Sequence, residues 1–379
     1  MTRDTERFHG LDLLRSIAII WVMLFHSFVV GGLGPDWQWL SRYGWMGVDL
    51  FFVLSGFLIG TQVVEALEHG GQMSFRDFYL RRAFRILPAY WVVLLLYLAW
   101  PGFREAPGME SGWKFVAFVL NLSIDYPSNG AFSHAWSLCV EEHFYLTFPL
   151  LASWLWRRPA VWKFTTLCMV VVLAGIALRS WVMLHDMAVD PRFERNWYVQ
   201  DIYYPTWNRL DGLLAGVMLA VWKVLRPPAW ATARRYANLS LLMGAIVMAM
   251  ALWLFRDRTG LLGNAIGWPV LSLGLGLLVF AGAGHDSLIG RWAVPGAAWF
   301  AGISYSLYLV HKAMFHVVQA QWGDELAGKG VMAFAAYAIA AIAAGAVLHY
   351  LVESPFLRLR ERMSLSRSNA WPRCGEPLS

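Results

Sequence analysis

About ten stretches of this 379-residue chain are apolar over a length that crosses a bilayer, and that repetition excludes most architectures. Roughly 20 residues of helix, at about 1.5 Å each, span about 30 Å of hydrocarbon. The stretches centre in 11–30, 45–65, 86–100, 136–156, 161–184, 206–224, 239–255, 264–283, 297–318 and 330–352. Lipid offers no hydrogen-bonding partner, so each segment must satisfy its own backbone as a helix. Composition agrees: 58% of residues are hydrophobic and 15% are charged, values outside the soluble globular classes. The expected fold is all-α, a polytopic integral membrane helical bundle of about ten transmembrane helices.

A net charge of +6 raises nucleic acid as a partner, and the positions of the basic residues remove it. With the N-terminus inside, segments on that side hold 19 of the 31 lysines and arginines, and the opposite loops hold 8. The other four, Arg15, Arg179, Arg209 and Lys312, fall within spans. This is the positive-inside asymmetry, with both termini cytoplasmic. Three cysteines, Cys139, Cys168 and Cys374, without C-x-x-C spacing, give no disulfide framework and no metal motif. The first apolar run is too long for a cleavable signal, contains Asp12 and Arg15, and lacks an A-x-A site. Two long outer loops, roughly 101–135 and 185–205, carry Trp113, Tyr126, Trp197, Tyr203 and Tyr204. These aromatics suit covering a site or stacking on a sugar, and equally an interfacial belt. The expected organisation is a membrane-embedded domain over 1–356 and a short basic cytoplasmic tail over 357–379.

Ionisable residues at membrane depth are costly and are kept for bundle interiors or function. Arg15 and His26 are eleven residues apart, which at roughly 100° each brings them back to one helical stripe, about 16 Å apart along the axis. His26, as a neutral imidazole, can take a proton from an alcohol; it can also be a core histidine bonded to another helix. Arg15 either pairs with Asp12 one turn earlier or stays free to hold an anionic or carbonyl-bearing ligand.

Further constellations follow along the chain. In GWMGVDLFFVLSGFLIG, 44–60, Gly47, Gly56 and Gly60 permit close helix approach, and Asp49 beside them requires a partner. Arg81, Arg82 and Arg85 crowd the cytoplasmic mouth before an apolar run beginning at Ile86. Arginine suits bidentate phosphate recognition; ordinary positive-inside anchoring accounts for any one of them. Ser137, Glu141 and Tyr145 recur at i, i+4 and i+8 and share a helical face. Glu142 lies about 100° away, so the two carboxylates are expected to differ in role, one of them orienting a catalytic histidine. Both could instead pair with Arg209 or Arg179. Arg209 and Asp211 cannot face each other on a helix, so each requires a partner elsewhere. Tyr305, Tyr308, His311 and Lys312 lie in the ninth span, where belt tyrosines and a core histidine are the simpler reading.

Together these segments resemble the acyltransferase-3 family of integral membrane acyltransferases over nearly the whole chain. The carriers are the Arg15–His26 spacing, GVDLFFVLSGFLI at 47–59, RRAFRILPAYW at 81–91 and WSLCVEEHFYL at 136–146. NRLDGLLAG at 208–216, ISYSLYLVH at 303–311 and ESP at 353–355 complete the set. The resemblance implies transfer of an acyl group, most often acetyl, from cytoplasmic acyl-CoA (acetyl-CoA) to a hydroxyl outside the membrane. Its acceptors would be a surface glycan or lipid-linked saccharide, at the bacterial inner membrane, with no metal. On this reading His26 is the general base and Arg15 positions the donor or stabilises developing charge. Arg81, Arg82 and Arg85 hold the CoA phosphates, the pantetheine arm rises toward His26, and Glu141 or Glu142 supports the histidine. Asp12, Asp49, Ser137, Arg209, Asp211, Tyr308 and His311 are expected in supporting places. An acetyl-histidine intermediate stays open. The rivals are a transporter or flippase of a glycan lipid, which would favour internal repeats that the chain lacks, and a sensor or scaffold.

Overall fold

In a computed structural model the described residues are 8–27, 30–34, 37–70, 73–186 and 196–368, and they form helices and turns with no strand among them. Arg3, Arg7, Arg192, Arg195 and Arg373 of the charge pattern lie outside the described residues, as do Cys374, residues 187–195 of the second outer loop and residues 369–379 of the expected tail.

Each expected stretch coincides with a helix. They are α1 (His9–Ser27), α2 (Met46–Gly70), α3 (Phe75–Ala99), α4 (Trp136–Trp156) and α5 (Val161–Trp181). The second half holds α6 (Asp211–Leu225), α7 (Ala237–Leu254), α8 (Trp268–Gly282), α9 (Ala297–Leu326) and α10 (Val331–Leu348). A π-helical turn, His349–Glu353, leads on to α11 (Ser354–Ser368). Seven segments are long and apolar enough to cross a membrane, and α6 with the short helix Pro227–Arg234, bent by 110° from it, makes an eighth. Helices α4 and α9 are 21 and 30 residues long but too polar to join that set. Glu141, Glu142 and His143 interrupt one, and Tyr305, Tyr308, His311 and Lys312 the other. The chain is an all-α polytopic membrane protein, and the polar residues of α4 and α9 are among those that line its interior cavity.

Two boundaries differ from expectation. Helix α3 begins at Phe75 rather than Ile86, with the Ser74 hydroxyl accepting from the Asp77 amide at 3.3 Å. That bond satisfies one of the donors a helix start leaves free, so the arginines expected before the helix lie on it. Arg209 precedes α6, at the end of the 3₁₀ turn Thr206–Asn208, and is not inside a span.

Helix α2 is the axis of the bundle: 67% of its apolar window is buried, against 17% for the lipid-facing α5. Small residues set its contacts, as the sequence spacing suggested. A Cβ on Gly56 would overlap the Leu213 carbonyl of α6, and one on Gly216 would overlap the Val53 carbonyl of α2. Gly47 meets the Ala18 backbone of α1 in the same way. Two buried ion pairs tie the second half to this core. Arg209 Nη2 donates to Asp49 Oδ1 at 2.7 Å, with its guanidinium 3.9 Å from the Trp268 ring and 4.3 Å from that of Tyr203. Arg179 forks onto Asp211 at 2.8 and 3.3 Å and also donates to the carbonyls of Asn208 and Asn264. Arg209 and Asp211 thus have separate partners, and neither arginine is left for Glu141 or Glu142.

Candidate active site

Helices α1, α2, α3, α4, α9 and α11 enclose a cavity of about 420 Å³. Four arginines line it: Arg15 from α1, Arg82 and Arg85 from α3, and Arg360 from α11. Glu141, Glu142, Ser55 and Tyr145 line it too. Glu141 is held at both oxygens, accepting from the Ser55 hydroxyl at 2.9 Å and the Tyr145 hydroxyl at 2.8 Å. Arg85 stands 3.7 Å from the buried carboxylate of Glu353, which also accepts from Ser306 at 2.7 Å and lies 2.9 Å from His349 Nδ1. The π-helical turn places Glu353 there, a use typical of such irregularities. Cations outnumber carboxylates around the cavity, which therefore suits an anionic ligand.

The cavity closes against Ser137 and Tyr308, whose hydroxyls are 2.6 Å apart and within 3.3 and 3.0 Å of the His134 carbonyl. Behind them stand three histidines. The His134 ring lies 5.6 Å from that of Tyr308 and 5.2 Å from that of His311, and the His311 ring lies 4.8 Å from that of His26. His311 Nδ1 is 2.7 Å from the Tyr308 carbonyl, and His311 Nε2 is 2.7 Å from His26 Nδ1. A carbonyl can only accept, so Nδ1 of His311 carries the hydrogen. In a neutral ring its Nε2 is then an acceptor, which requires His26 Nδ1 to donate. The lone pair of His26 Nε2 is left for a proton. A chain of two hydrogen bonds thus fixes the tautomer a general base needs.

His134 comes from the turn Ser133–Ala135, entered through Phe132 in the left-handed conformation (φ 54°). That backbone costs a non-glycine residue of order 1 kcal/mol and needs support. Here the fully buried Phe132 ring stacks on Tyr97 at 4.4 Å and Phe115 at 5.5 Å, and its amide donates to Glu105 Oε1 at 3.1 Å. Glu105 also pairs with Lys312 at 2.9 Å and faces His134 Nδ1 at 3.8 Å. Burial, with the Lys312 charge adding, pushes His134 well below the ordinary histidine range.

A family model described as an acyltransferase domain matches residues 8–350, most of the chain. The chain belongs to the acyltransferase-3 family. It is 26% identical over 318 residues to the O-acetyltransferase OatA of Staphylococcus aureus (strain NCTC 8325 / PS 47), covering 80% of this chain and 49% of that one. It is 28% identical over 232 residues to the Bacillus subtilis (strain 168) protein named "Putative peptidoglycan O-acetyltransferase YrhL", covering 57% of this chain and 34% of that one. The chain thus spans about half the length or less of these curated relatives. No solved structure matches it.

The residues that suggested an acyltransferase-3 protein divide among three places. Arg15, Arg82, Arg85, Ser137, Glu141, Glu142 and Tyr308 line the cavity, while Asp12 does not. His26 and His311 do not line it and stand beyond its end, with Tyr308 and Ser137 between. Asp49, Arg209 and Asp211 form the buried pairs that join α2, α5 and α6. Arg81 is exposed and bonds the Asp77 carbonyl, and it does not line the cavity that Arg82 and Arg85 line. Neither Glu141 nor Glu142 supports His26; His311 does, and the carboxylate nearest the histidines is Glu105. Sequence reading missed His134, Glu105 and Arg360. His134 stood inside the quoted SHAWSL segment as a signal, whereas Glu105 and Arg360, in a loop and a tail, carried none. Among the described residues no group of His, Cys, Asp and Glu is arranged to hold a metal ion.

Proposed function

We propose that this acyltransferase-3 protein moves an acetyl group from acyl-CoA on the cytoplasmic side to a hydroxyl of a cell-envelope glycan outside. The observation that carries the reading is the order of groups across the bundle: an arginine-lined cavity, then the Tyr308–Ser137 hydroxyl pair, then the oriented His26–His311 pair. The names of the relatives OatA and YrhL support acetyl as the group and peptidoglycan-like polymer as the acceptor class. Arg82, Arg85 and Arg360 would take the phosphates, since guanidinium forks match phosphate oxygens. Arg15 would hold the donor below the histidines; at about 16 Å from His26, it is too far to meet the same reacting carbon. The pantetheine arm would lead the thioester past Tyr308 toward His26.

In the reaction the acceptor oxygen forms a bond to the thioester carbonyl carbon while its proton passes to His26 Nε2. The carbon–sulfur bond then breaks, and the proton leaves with the thiolate. His311, bonded to His26 Nδ1, steadies the ring through both transfers. The test pairs two measurements. Purified full-length protein should turn over acetyl-CoA in the presence of envelope glycan, and cells lacking the protein should lose acetyl groups from that glycan by NMR and mass spectrometry. Unchanged glycan acetylation would end the reading.

A further inference from the structure

Arg258 lies in the turn between α7 and α8. Its guanidinium carbon stands 4.9 Å from the ring centroids of Trp45 and Tyr203, 5.2 Å from Tyr198 and 5.4 Å from Phe25. Nε donates to the Tyr198 hydroxyl at 3.0 Å, and the Arg258 carbonyl accepts from Asn264 Nδ2 at 3.0 Å, so both ends of the residue are held. Aromatic faces attract a cation without neutralising it. Among the described residues no carboxylate pairs with Arg258: neighbouring Asp257 turns its Oδ1 to the Thr259 amide at 3.1 Å and hydroxyl at 3.2 Å. Arg179 and Arg209, deeper in the bundle, each have a carboxylate. Arg258 is partly exposed. With Nε engaged, its terminal nitrogens remain, the pair that matches the two oxygens of a carboxylate or phosphate. It is also one ring away from the base, because Phe25, which it covers, packs 5.2 Å from the His26 ring.

We propose that Arg258 is an anion subsite for the acceptor, receiving a carboxylate or phosphate carried by the saccharide whose hydroxyl approaches His26. The aromatic bracket, whose Trp45, Tyr198 and Tyr203 rings are buried, fixes the cation in place. This deepens the transfer reading and rests on it for naming the ligand an acceptor.

The test is a binding measurement on the full-length protein in lipid nanodiscs, by calorimetry, with three probes. These are a uronate-bearing trisaccharide, the same sugar with its carboxyl reduced to an alcohol, and that reduced sugar carrying a phosphate. At least one anionic probe should bind wild type about tenfold or more tighter than the neutral one, the worth of one charge-assisted contact. Whichever anion gains more identifies the source. Arg258→Gln should bring the ratio to about one, and Arg258→Lys should keep part of it because the charge remains without the fork. His26→Ala should keep the wild-type ratio, so a failure of the transfer chemistry leaves this result standing. Equal affinity of wild type for all three probes, absence of binding included, overturns the subsite, as does a preference that survives in Arg258→Gln. The wild-type comparison depends on no variant folding.

Discussion

His26 and His311 are joined by one hydrogen bond, and that bond assigns them different work. If His26 Nε2 takes the acceptor proton, His26→Ala should lower single-turnover transfer by about 10²- to 10⁴-fold while donor affinity holds and added donor fails to restore the rate. His311 touches no reacting atom in this scheme, so it is a positioning residue. His311→Ala should lower kcat with little change in donor KM, and should shift the pH–rate profile because His26 Nδ1 loses its acceptor. His311→Gln, which can still accept from His26 Nδ1, should recover part of the rate. A pH profile unchanged in His311→Ala would reduce His311 to packing. Arg15 belongs to the other end of α1. Arg15→Ala should raise the donor Kd, and Arg15→Lys should restore it only in part because lysine lacks the planar fork. Buried charge away from the cavity answers to a different measurement. Removing one partner of the Asp49–Arg209 pair strands a charge, so Asp49→Ala should cost about 3 to 5 kcal/mol of stability, seen as a lowered melting temperature before any loss per folded molecule.

Helices were legible because lipid imposes one rule, an unbroken apolar length, and seven of the described helices meet it outright, while α4 and α9 are long helices interrupted by polar residues. Helix-internal spacing was legible too: Ser137, Glu141 and Tyr145 share a face in sequence and line one cavity in space. What no local pattern announces is a contact between elements far apart in the chain. His26 meets His311 across 285 positions, and Arg360 reaches the cavity from a segment that reads as a polar tail. Glu105, in an irregular loop, follows no period at all, yet it holds Lys312 and the Phe132 amide. The small residues of α2 lie between these cases, since their spacing signals close approach without naming the partner. For Gly56 the partner is helix α6, and the prediction is specific to that contact. Gly56→Val should prevent the α2–α6 contact, because even a Cβ overlaps the Leu213 carbonyl, and should yield protein that is unfolded or aggregated by size-exclusion chromatography. Gly302→Ala on α9, where a Cβ meets nothing within 4 Å, should fold as wild type. Equal behaviour of the two variants would show that the α2–α6 approach does not limit folding.

At the scale of the whole molecule the arginine cavity and the histidine cluster follow one another across the bundle, and from the charge pattern we propose that the cavity faces the cytoplasm. Basic residues crowd the helices that bring Arg82 and Arg360 to the cavity, Arg76 of α3 and Arg358 and Arg362 of α11 among them. The turn carrying Arg256 and Arg258 lies at the other ends of helices whose cavity-side loops are the more basic. On the proposed reading a cytoplasmic acyl-CoA would reach the arginines only if that basic side is inside, so the proposed orientation and the proposed donor stand or fall together. With the native cysteines replaced, a single cysteine at position 76 should resist a membrane-impermeant maleimide applied to intact cells and react once the membrane is opened. A single cysteine at position 256, an exposed residue on the opposite side, should react in intact cells. Both substitutions lie on the surface, so expression and glycan acetylation serve as controls for folding. Reaction at 76 from outside, with protection at 256, would invert the bundle, turn the arginine cavity away from cytoplasmic CoA and leave the phosphate assignment without a donor to bind.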